Sequence, residues 1–427
     1  MRSMLKLLAL SSASLLSACG GDTGLQTVGS VAPPSGGGTS TTPTPSPTSA
    51  HTFVAPTETK SYEAIGAVQN YQYDTTSKTA GQNHQLYAGD ANTVRDSGIT
   101  VAYNPRDAIF EVTINRPLGD VQTGTMRFQD PAHRTDFGGA IEPQEGTPEL
   151  PTTMVIQYLQ SGGSSGNRLP ATGGYADDGL TTHNSDYVVG AKGYTSTNQT
   201  YFYQKPGAAT GVGTDTTPKY VSLAGFVRNT ITATEEQDDP SQPLYLKQTY
   251  SFDRAAFVYG ERTPNSAVPR TGGGTFKGDM IATIVFNPML DNDRNYPTYF
   301  QWIAGSHTTQ VDFASLTVTS DFKGSVMAPS RDAYTSGLYV LPAGTDFAAH
   351  SVATIDLVNK GGFTGSFTEA CFAVTCTSGN KLVIAGSSID GAFFGPNGEE
   401  IGGGFRIVGG NPNERIDILG AFTGQKK

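Results

Sequence analysis

The sequence predicts an all-β protein in which a β-rich N-terminal unit precedes a small eight-stranded antiparallel up-and-down β-barrel. Charged residues make up 15% of the 427 residues, well below the roughly 25% of an average chain. The chain contains 52 glycines, 19 tyrosines and 21 phenylalanines, a composition that favours strands and turns over helices. Apolar and polar residues alternate repeatedly, as expected for sheets with one buried face.

The first 18 residues are predicted to be an export signal. Arg2 and Lys6 form a positive n-region, and the apolar run Leu5–Leu16 is shorter than the roughly 20 residues that span a bilayer. Leu16-Ser17-Ala18-Cys19 resembles the bacterial lipobox, which implies that Cys19 is lipidated and becomes the first residue of the mature chain. The alternative is an ordinary signal peptide with a chance cysteine.

Residues 19–54 are expected to tether the folded part to a membrane. They are rich in Gly, Ser, Thr and Pro, which predicts a flexible-to-extended linker. Two or more acyl chains give stable anchoring, at about 0.8 kcal/mol per buried CH₂. Gly20 follows the cysteine, and the lipobox resemblance implies outer-membrane sorting because no Asp stands there. No later stretch of the sequence suggests a transmembrane helix, so we expect membrane contact through the anchor alone.

Residues 55–268 are predicted to form the N-terminal β-rich unit. Apolar residues alternate in GITVAY (98–103) and AIFEVTI (108–114), and Asn104–Asp107 between them has turn composition. The same alternation recurs in LYLKQTYSF (244–252). An acidic, proline-containing loop, Thr234–Pro243, precedes that strand.

Residues 269–427 are predicted to form the barrel. In GTFKGDMIATIVF (274–286) one face of the strand is apolar and the other polar, so we expect one buried face and one wet face. Gly-x-Phe-x-Gly recurs at 274–278, 391–395 and 420–424, and strand glycines mark bends or close backbone approaches. Such strands suit a closed barrel, which has no free edge.

The stretch GAFFGPNGEEIGGGF (391–405) raises the question of a catalytic carboxylate pair. GPNG has turn composition, and Glu399 and Glu400 begin the next predicted strand. Successive strand side chains point to opposite faces, so these carboxylates cannot converge on one substrate atom as a general acid and base. We therefore expect a solvated turn beside a barrel corner.

Cys371 and Cys376 are predicted to form a disulfide, because an even pair of close cysteines in an exported chain indicates a bridge. The alternative is a metal or redox pair, although no nearby His completes a zinc site.

Motifs for catalysis and cofactors are weak. GGSSG (162–166) matches G-x-S-x-G but lacks the strand–turn–helix context, and DNDRN (291–295) lacks the Gly and Glu of a calcium loop. The six histidines are scattered, and we interpret His307 as a satisfied polar group of a barrel strand rather than a haem ligand. We expect no enzyme, cofactor or metal site. The net charge of −10 disfavours nucleic acid as a partner.

Three stretches carry a family resemblance. FVYGERTPNSAVPRTGGGTFKGD (257–279), GAFFGPNGEEIGGGF (391–405) and GAFTGQKK (420–427) resemble the β-barrel domain of transferrin-binding protein B and related bacterial surface lipoproteins, including haemoglobin receptors and factor H-binding protein. The resemblance covers about 257–427. It implies an eight-stranded barrel filled by side chains and, by position, a handle domain before it. Transferrin-binding protein B has two handle–barrel lobes, whereas this chain has one.

The resemblance also implies a function. We expect display on the outer face of the outer membrane, helped by a surface lipoprotein assembly modulator. The protein would capture an iron carrier, haem or another nutrient, as a protein or small-molecule ligand, for a TonB-dependent transporter. One alternative is a surface module that binds host or neighbour proteins without a transport role. Another is an enzyme that uses the barrel lumen, which the large apolar residues of the first barrel strand disfavour.

Aromatic clusters are the candidate ligand-binding residues, because aromatics with few rotors are good binding anchors. The predicted residues are Asp293, Tyr296 and Tyr299 in DNDRNYPTYFQW (291–302), and Tyr201 and Tyr203 in the handle. In the alternative interpretation, Phe300 and Trp302 belong to the barrel core and only 291–299 form a loop.

Overall fold

The computed structural model describes residues 52–90, 95–115, 124–129, 146–166, 194–211, 213–287, 299–328, 341–359, 361–378, 380–410 and 415–427. The described residues from Thr52 onward belong to one compact unit. They confirm the prediction of an all-β protein with a closed eight-stranded antiparallel barrel. The export signal and most of the linker, 1–51, lie outside them. No helix among the described residues is long and apolar enough to cross a membrane.

The first ten strands form two antiparallel sheets, which we call the handle. In chain order they are β1 Lys60–Glu63, β2 Ile65–Thr76, β3 Thr79–Asp90, β4 Ile99–Asn104, β5 Ile109–Ile114, β6 Gly124–Gln129, β7 Ile156–Gly166, β8 Tyr194–Gln204, β9 Val221–Glu236 and β10 Tyr245–Gly260. One sheet has the order β1-β4-β5-β6, and the other has the order β3-β2-β10-β9-β8-β7. The turn predicted at Asn104–Asp107 joins β4 to β5, where Asn104 Oδ1 accepts the backbone N–H of Arg106.

The remaining strands close the barrel in sequence order, β18 pairing with β11. They are β11 Gly273–Asn287, β12 Tyr299–Asp312, β13 Thr317–Val326, β14 Asp346–Ile355, β15 Phe363–Cys371, β16 Ile384–Phe394, β17 Glu400–Gly409 and β18 Arg415–Lys426. Every connection is to the next strand along the chain, which is the up-and-down topology that the sequence predicts.

Apolar side chains fill the barrel lumen. Phe276, Met280, Ala282 and Ile284 of β11 all point into it, as their alternation predicts. Phe322 lies at its centre, 5.1 Å from the ring of Phe405 and 5.3 Å from that of Phe422. The glycines of the recurring motif make room for these rings. A Cβ on Gly391 would lie 2.1 Å from the ring of Phe363, its cross-strand partner.

The outer face of β11 is covered only in part, which corrects the expectation that all of it is wet: Lys277 is exposed, whereas the outward-facing residues from Asp279 to Thr283 lie against the handle. The larger handle sheet packs its inner face against the barrel wall, so apolar residues of both meet in one cluster, including Phe202, Val221, Leu223, Val258, Ile281, Trp302, Phe394 and Ala421. Thr283 is buried in this interface and its hydroxyl donates to Gln69 Oε1. Asp279 accepts a 2.7 Å hydrogen bond from Gln204 Nε2, and burial raises the pKa of this carboxyl.

The hairpin between β16 and β17 corrects a second expectation. The turn is present, with positive φ at Gly395 (89°) and Gly398 (74°), and Glu399 accepts the N–H of Asn397 within it. Glu400, however, is not solvated: it is 4% exposed. Its carboxylate accepts the backbone N–H groups of Lys219 at 2.6 Å and Tyr220 at 2.8 Å. The residue therefore joins the barrel to the handle.

Candidate functional site

A concave aromatic site lies in the handle between its two sheets, and we call it the handle cleft. Its volume is about 200 Å³. Aromatic side chains form its walls: Phe53, Tyr62, Tyr103, Phe110, Tyr203 and Tyr259. Val54, Pro56 and Pro206 also line it, and Glu58, Lys60 and Lys205 provide its charged groups.

Strand alternation places the aromatic walls. The smaller sheet contributes Tyr62 from β1, Tyr103 from β4 and Phe110 from β5, and the larger sheet contributes Tyr203 from β8 and Tyr259 from β10. Because each of these residues points toward the space between the sheets, their rings meet there. The ring centroids of Phe110 and Tyr203 are 4.7 Å apart.

The segment before β1 closes one side of the cleft. The Phe53 ring packs edge-on against Tyr62 at 5.3 Å and against Tyr259 at 5.8 Å. Distances in this range are those that aromatic pairs prefer. The sequence offered one signal for this role, since Phe53 is the first aromatic residue after the long polar linker.

The two handle tyrosines predicted as ligand contacts have different positions. Tyr203 is 7% exposed and lines the cleft. Tyr201 is 0% exposed and does not line the cleft. Its hydroxyl donates to the Tyr259 hydroxyl at 3.1 Å, which supports the cleft from beneath. Burial raises the pKa of Tyr201 well above its usual value and that of Tyr259 to about 12, so both phenols stay neutral at physiological pH.

The rim of the cleft carries two lysines in different settings. Lys60 Nζ lies 3.1 Å from Glu261 Oε1 and 5.2 Å from the centre of the Tyr62 ring. Thr52 Oγ1 also donates to that carboxylate, at 2.7 Å. Lys205 is exposed and makes no ion pair with the residues that the structure describes. The arrangement suits non-covalent binding of an apolar group beside a charged one.

The other predicted ligand contacts lie at the β11–β12 connection. Asp293 and Tyr296 fall outside the described residues, as does the lipidation candidate Cys19. Tyr299 is the first residue of β12, and its side chain is not among those described.

Phe300 and Trp302 are buried residues of barrel strand β12 rather than loop residues, as the alternative interpretation expected, but they do not fill the lumen. They lie on the outer face of the barrel against the handle. The Trp302 indole N–H donates to the carbonyl of Gly146 at 2.7 Å, and its ring meets Phe202 edge-on at 5.6 Å. These aromatics therefore hold the handle against the barrel.

Cys371 and Cys376 are joined by a disulfide. The bridged loop borders a second concavity, of about 470 Å³, beside strands β12 to β14 of the barrel. Most of its charged groups are paired: His350 Nδ1 lies 2.7 Å from Asp321 Oδ1, and Glu369 forms an ion pair with Lys381. Lys323, which also lines it, is exposed and makes no ion pair with the described residues. No group of three or more His, Cys, Asp or Glu side chains that could hold a metal occurs in the described part of the chain.

His307 matches the interpretation of a satisfied polar group. It is 2% exposed, its Nδ1 is 2.9 Å from the Thr309 hydroxyl, and its Nε2 is 2.9 Å from the carbonyl of Thr423. Burial lowers the pKa of His307 to about 4, so the ring is neutral at physiological pH. Both nitrogens are therefore engaged within the barrel.

Comparisons with known proteins place the chain beside structures of one kind at low similarity. No protein-family model and no curated protein matches it. A double mutant of transferrin binding protein B from Haemophilus parasuis is 10% identical, with 86% of this chain and 76% of that chain covered and a TM-score of 0.28. Intact Ap-TbpB, with N and C lobes, is 11% identical, with 86% of this chain and 78% of that chain covered and a TM-score of 0.27. The isotype 1 transferrin binding protein B from serogroup B Neisseria meningitidis is 13% identical, with 87% of this chain and 77% of that chain covered and a TM-score of 0.23.

Proposed function

We propose that this protein is a surface-exposed outer-membrane lipoprotein that captures a ligand for a TonB-dependent transporter. The ligand would be an iron carrier, haem or another scarce nutrient. The observation that carries this proposal is the handle cleft, an aromatic concave site with a charged rim and no catalytic or metal-binding arrangement among its described residues. Preformed apolar pockets with a few polar groups are the usual form of a binding site.

The filled barrel supports binding outside the lumen. Large side chains such as Phe322, Phe405 and Phe422 occupy the described part of its interior, which leaves little room there for a ligand. We infer that the barrel, 269–427, is a rigid support and that the handle, 55–268, presents the binding surface. Tyr203 would contact the ligand in the cleft, and Asp293, Tyr296 and Tyr299 would extend the surface from the barrel.

The lipobox motif supports the cellular part of the proposal. Cys19 would carry the lipid anchor, and the Gly/Ser/Thr/Pro linker would allow the folded part to reach an external ligand. A surface lipoprotein assembly modulator would move the chain to the outer face. The alternative is a surface module for host or neighbour proteins without a transport role.

Cross-linking on intact cells of the native bacterium tests the proposal. Cells grown under nutrient limitation would be treated with a membrane-impermeant cross-linker, and proteins attached to the full-length chain would be identified. We expect a TonB-dependent outer-membrane transporter together with an externally supplied ligand. Cross-linking to external proteins without a transporter would favour the alternative. A chain that reacts only after the outer membrane is opened would contradict both.

A further inference from the structure

We infer that the handle cleft accepts an aromatic side chain of a protein partner, next to an acidic residue of that partner. This inference rests on the proposed function, since it names the ligand class of the same site. It commits to a protein anchor rather than to a free nutrient molecule such as haem.

The size of the cleft favours a single ring. Its volume is about 200 Å³. An apolar cavity of roughly 150 Å³ holds a benzene-sized group, whereas drug-sized ligands occupy pockets of about 300–1,000 Å³. Haem is larger than such a ring, so the cleft could enclose only its edge. One aromatic side chain fits the available space.

The walls supply the contacts that a ring prefers. Phe110 and Tyr203 are tilted by 43° with centroids 4.7 Å apart, and Phe53 and Tyr62 are nearly perpendicular at 87°. These wall rings are 4–8% exposed, so an inserted ring would pack, offset or edge-to-face, against the part of their surface that remains open. Aromatic anchors that fill such pockets provide much of the binding energy in protein interfaces.

The rim carries two lysines and one acid, Glu58, so an acidic neighbour would pair on the lysine side of the cleft. Lys60 is engaged by Glu261, whereas Lys205 makes no ion pair with the described residues and lines the cleft. A carboxylate beside the inserted ring would meet Lys205 first. At physiological ionic strength the Debye length is about 8 Å, so the net charge of −10 elsewhere on the chain opposes this contact only weakly.

The linker of this chain cannot supply the ring. Residues 19–51 contain no Phe, Tyr or Trp, and their last residues, PTPSPTSAH, are polar or small. The linker is therefore excluded as the source of the aromatic occupant, and a rim with charges of both signs suits the polar surround of a protein segment.

Peptide binding to the purified full-length protein in detergent tests the inference. Saturation-transfer NMR would compare acetyl-Asp-Phe-Asp-amide with its Ala-centred analogue, a Lys-flanked analogue and N-acetyl-phenylalanine. We expect the Asp-Phe-Asp peptide to bind at least ~10-fold more tightly than the Ala peptide, as for loss of a central anchor. Equal binding of these two peptides overturns the inference. Equal binding of N-acetyl-phenylalanine and the Asp-Phe-Asp peptide also overturns the inference, because the ligand would then be a small aromatic acid rather than a protein side chain.

Two surface variants place the binding in the cleft. Val54→Trp, at a position 40% exposed, would fill the cleft and reduce peptide binding at least ~10-fold. Lys205→Glu would shift the preference to the Lys-flanked peptide. Lys323→Glu, the same charge reversal on the barrel, is the control and should change neither. Unchanged peptide binding by Val54→Trp would overturn the inference. The proposed function would still stand or fall by the cross-linking on intact cells, which does not depend on this result.

Discussion

The buried carboxyl of Glu400 predicts a specific pH dependence of stability. Its side chain lies between the barrel and the β8–β9 connection of the handle, where the N–H groups of Lys219 and Tyr220 donate to it. Desolvation by burial outweighs these hydrogen bonds and raises the pKa of Glu400 to about 7, from 4.5 for a free side chain. The perturbation is Glu400→Gln, which removes the titration.

The magnitude follows from proton linkage. The difference between about 7 and 4.5, at about 1.36 kcal/mol per pKa unit, corresponds to roughly 3 kcal/mol. Because the folded-state pKa is the higher one, the protonated carboxyl favours the folded protein. This contribution is fully present below pH 4.5 and is lost as the pH rises through 7.

Urea unfolding of both proteins between pH 4 and pH 8.5 measures the effect. Trp302, the single tryptophan of the chain, is 4% exposed at the handle–barrel interface, so its fluorescence reports unfolding there. The unfolding free energy of the wild type minus that of Glu400→Gln should fall by about 3 kcal/mol from pH 4.5 to pH 8. Glu399→Gln is the matched control and should retain most of the wild-type pH dependence, because Glu400 remains and the charge of Glu399 is the smallest of the causes that shift its pKa. A wild-type minus Glu400→Gln difference that stays constant across this range would refute the reasoning.

Three further predictions concern the barrel and its contact with the handle, each measured by urea or thermal unfolding. Gly391→Ala should destabilise the protein by about 2–4 kcal/mol, because its Cβ would meet the buried Phe363 ring at 2.1 Å; a change below ~0.5 kcal/mol would show that the ring moves freely. Arg95→Ala should cost about 2–3 kcal/mol, since its guanidinium donates to the carbonyls of Phe363 and Gly391 at 3.0 Å; an unchanged unfolding midpoint would contradict that role. Replacing Cys371 and Cys376 with Ser should lower the unfolding free energy by only about 2 kcal/mol, because the bridge closes a short loop. Complete unfolding of the barrel in this variant would show that the disulfide contributes much more.

The sequence predicts the barrel well because its lumen follows a local rule. Alternate residues of one strand share a face, so the apolar set from Phe276 to Ile284 identifies the side that fills the lumen. The recurring glycines are visible in the sequence, but their reason is not. Gly391 accommodates the ring of Phe363 from the neighbouring strand, a contact that depends on register between strands.

What covers the outer face of a strand cannot be predicted from that strand alone. Thr283 and Asp279 suggest a wet face because they are polar, yet both are hydrogen-bonded to handle residues in the interface. The polarity of Glu400 misleads in the same way, since backbone N–H groups of the handle satisfy its carboxylate. Long-range packing thus overrides the local pattern.

The handle cleft shows the same limit for the candidate site. The aromatic run at 201–203 was visible in the sequence, and alternation puts Tyr201 and Tyr203 on one face. Their positions along the strand then give them different surroundings: Tyr201 is fully buried, whereas Tyr203 borders the cleft. The wall residues Tyr62 and Tyr259 lie far apart in the chain, so only the folded arrangement brings them together.

Thiol labelling on intact cells tests most directly the claim that the handle cleft faces the cell exterior. Lys205→Cys would place a reactive thiol at the rim of the cleft. The native cysteines should not react, because Cys371 and Cys376 are joined in a disulfide and Cys19 is expected to be lipidated. A membrane-impermeant maleimide should label this variant equally before and after the outer membrane is opened. Labelling only after the outer membrane is opened would contradict the account and place the cleft in the periplasm.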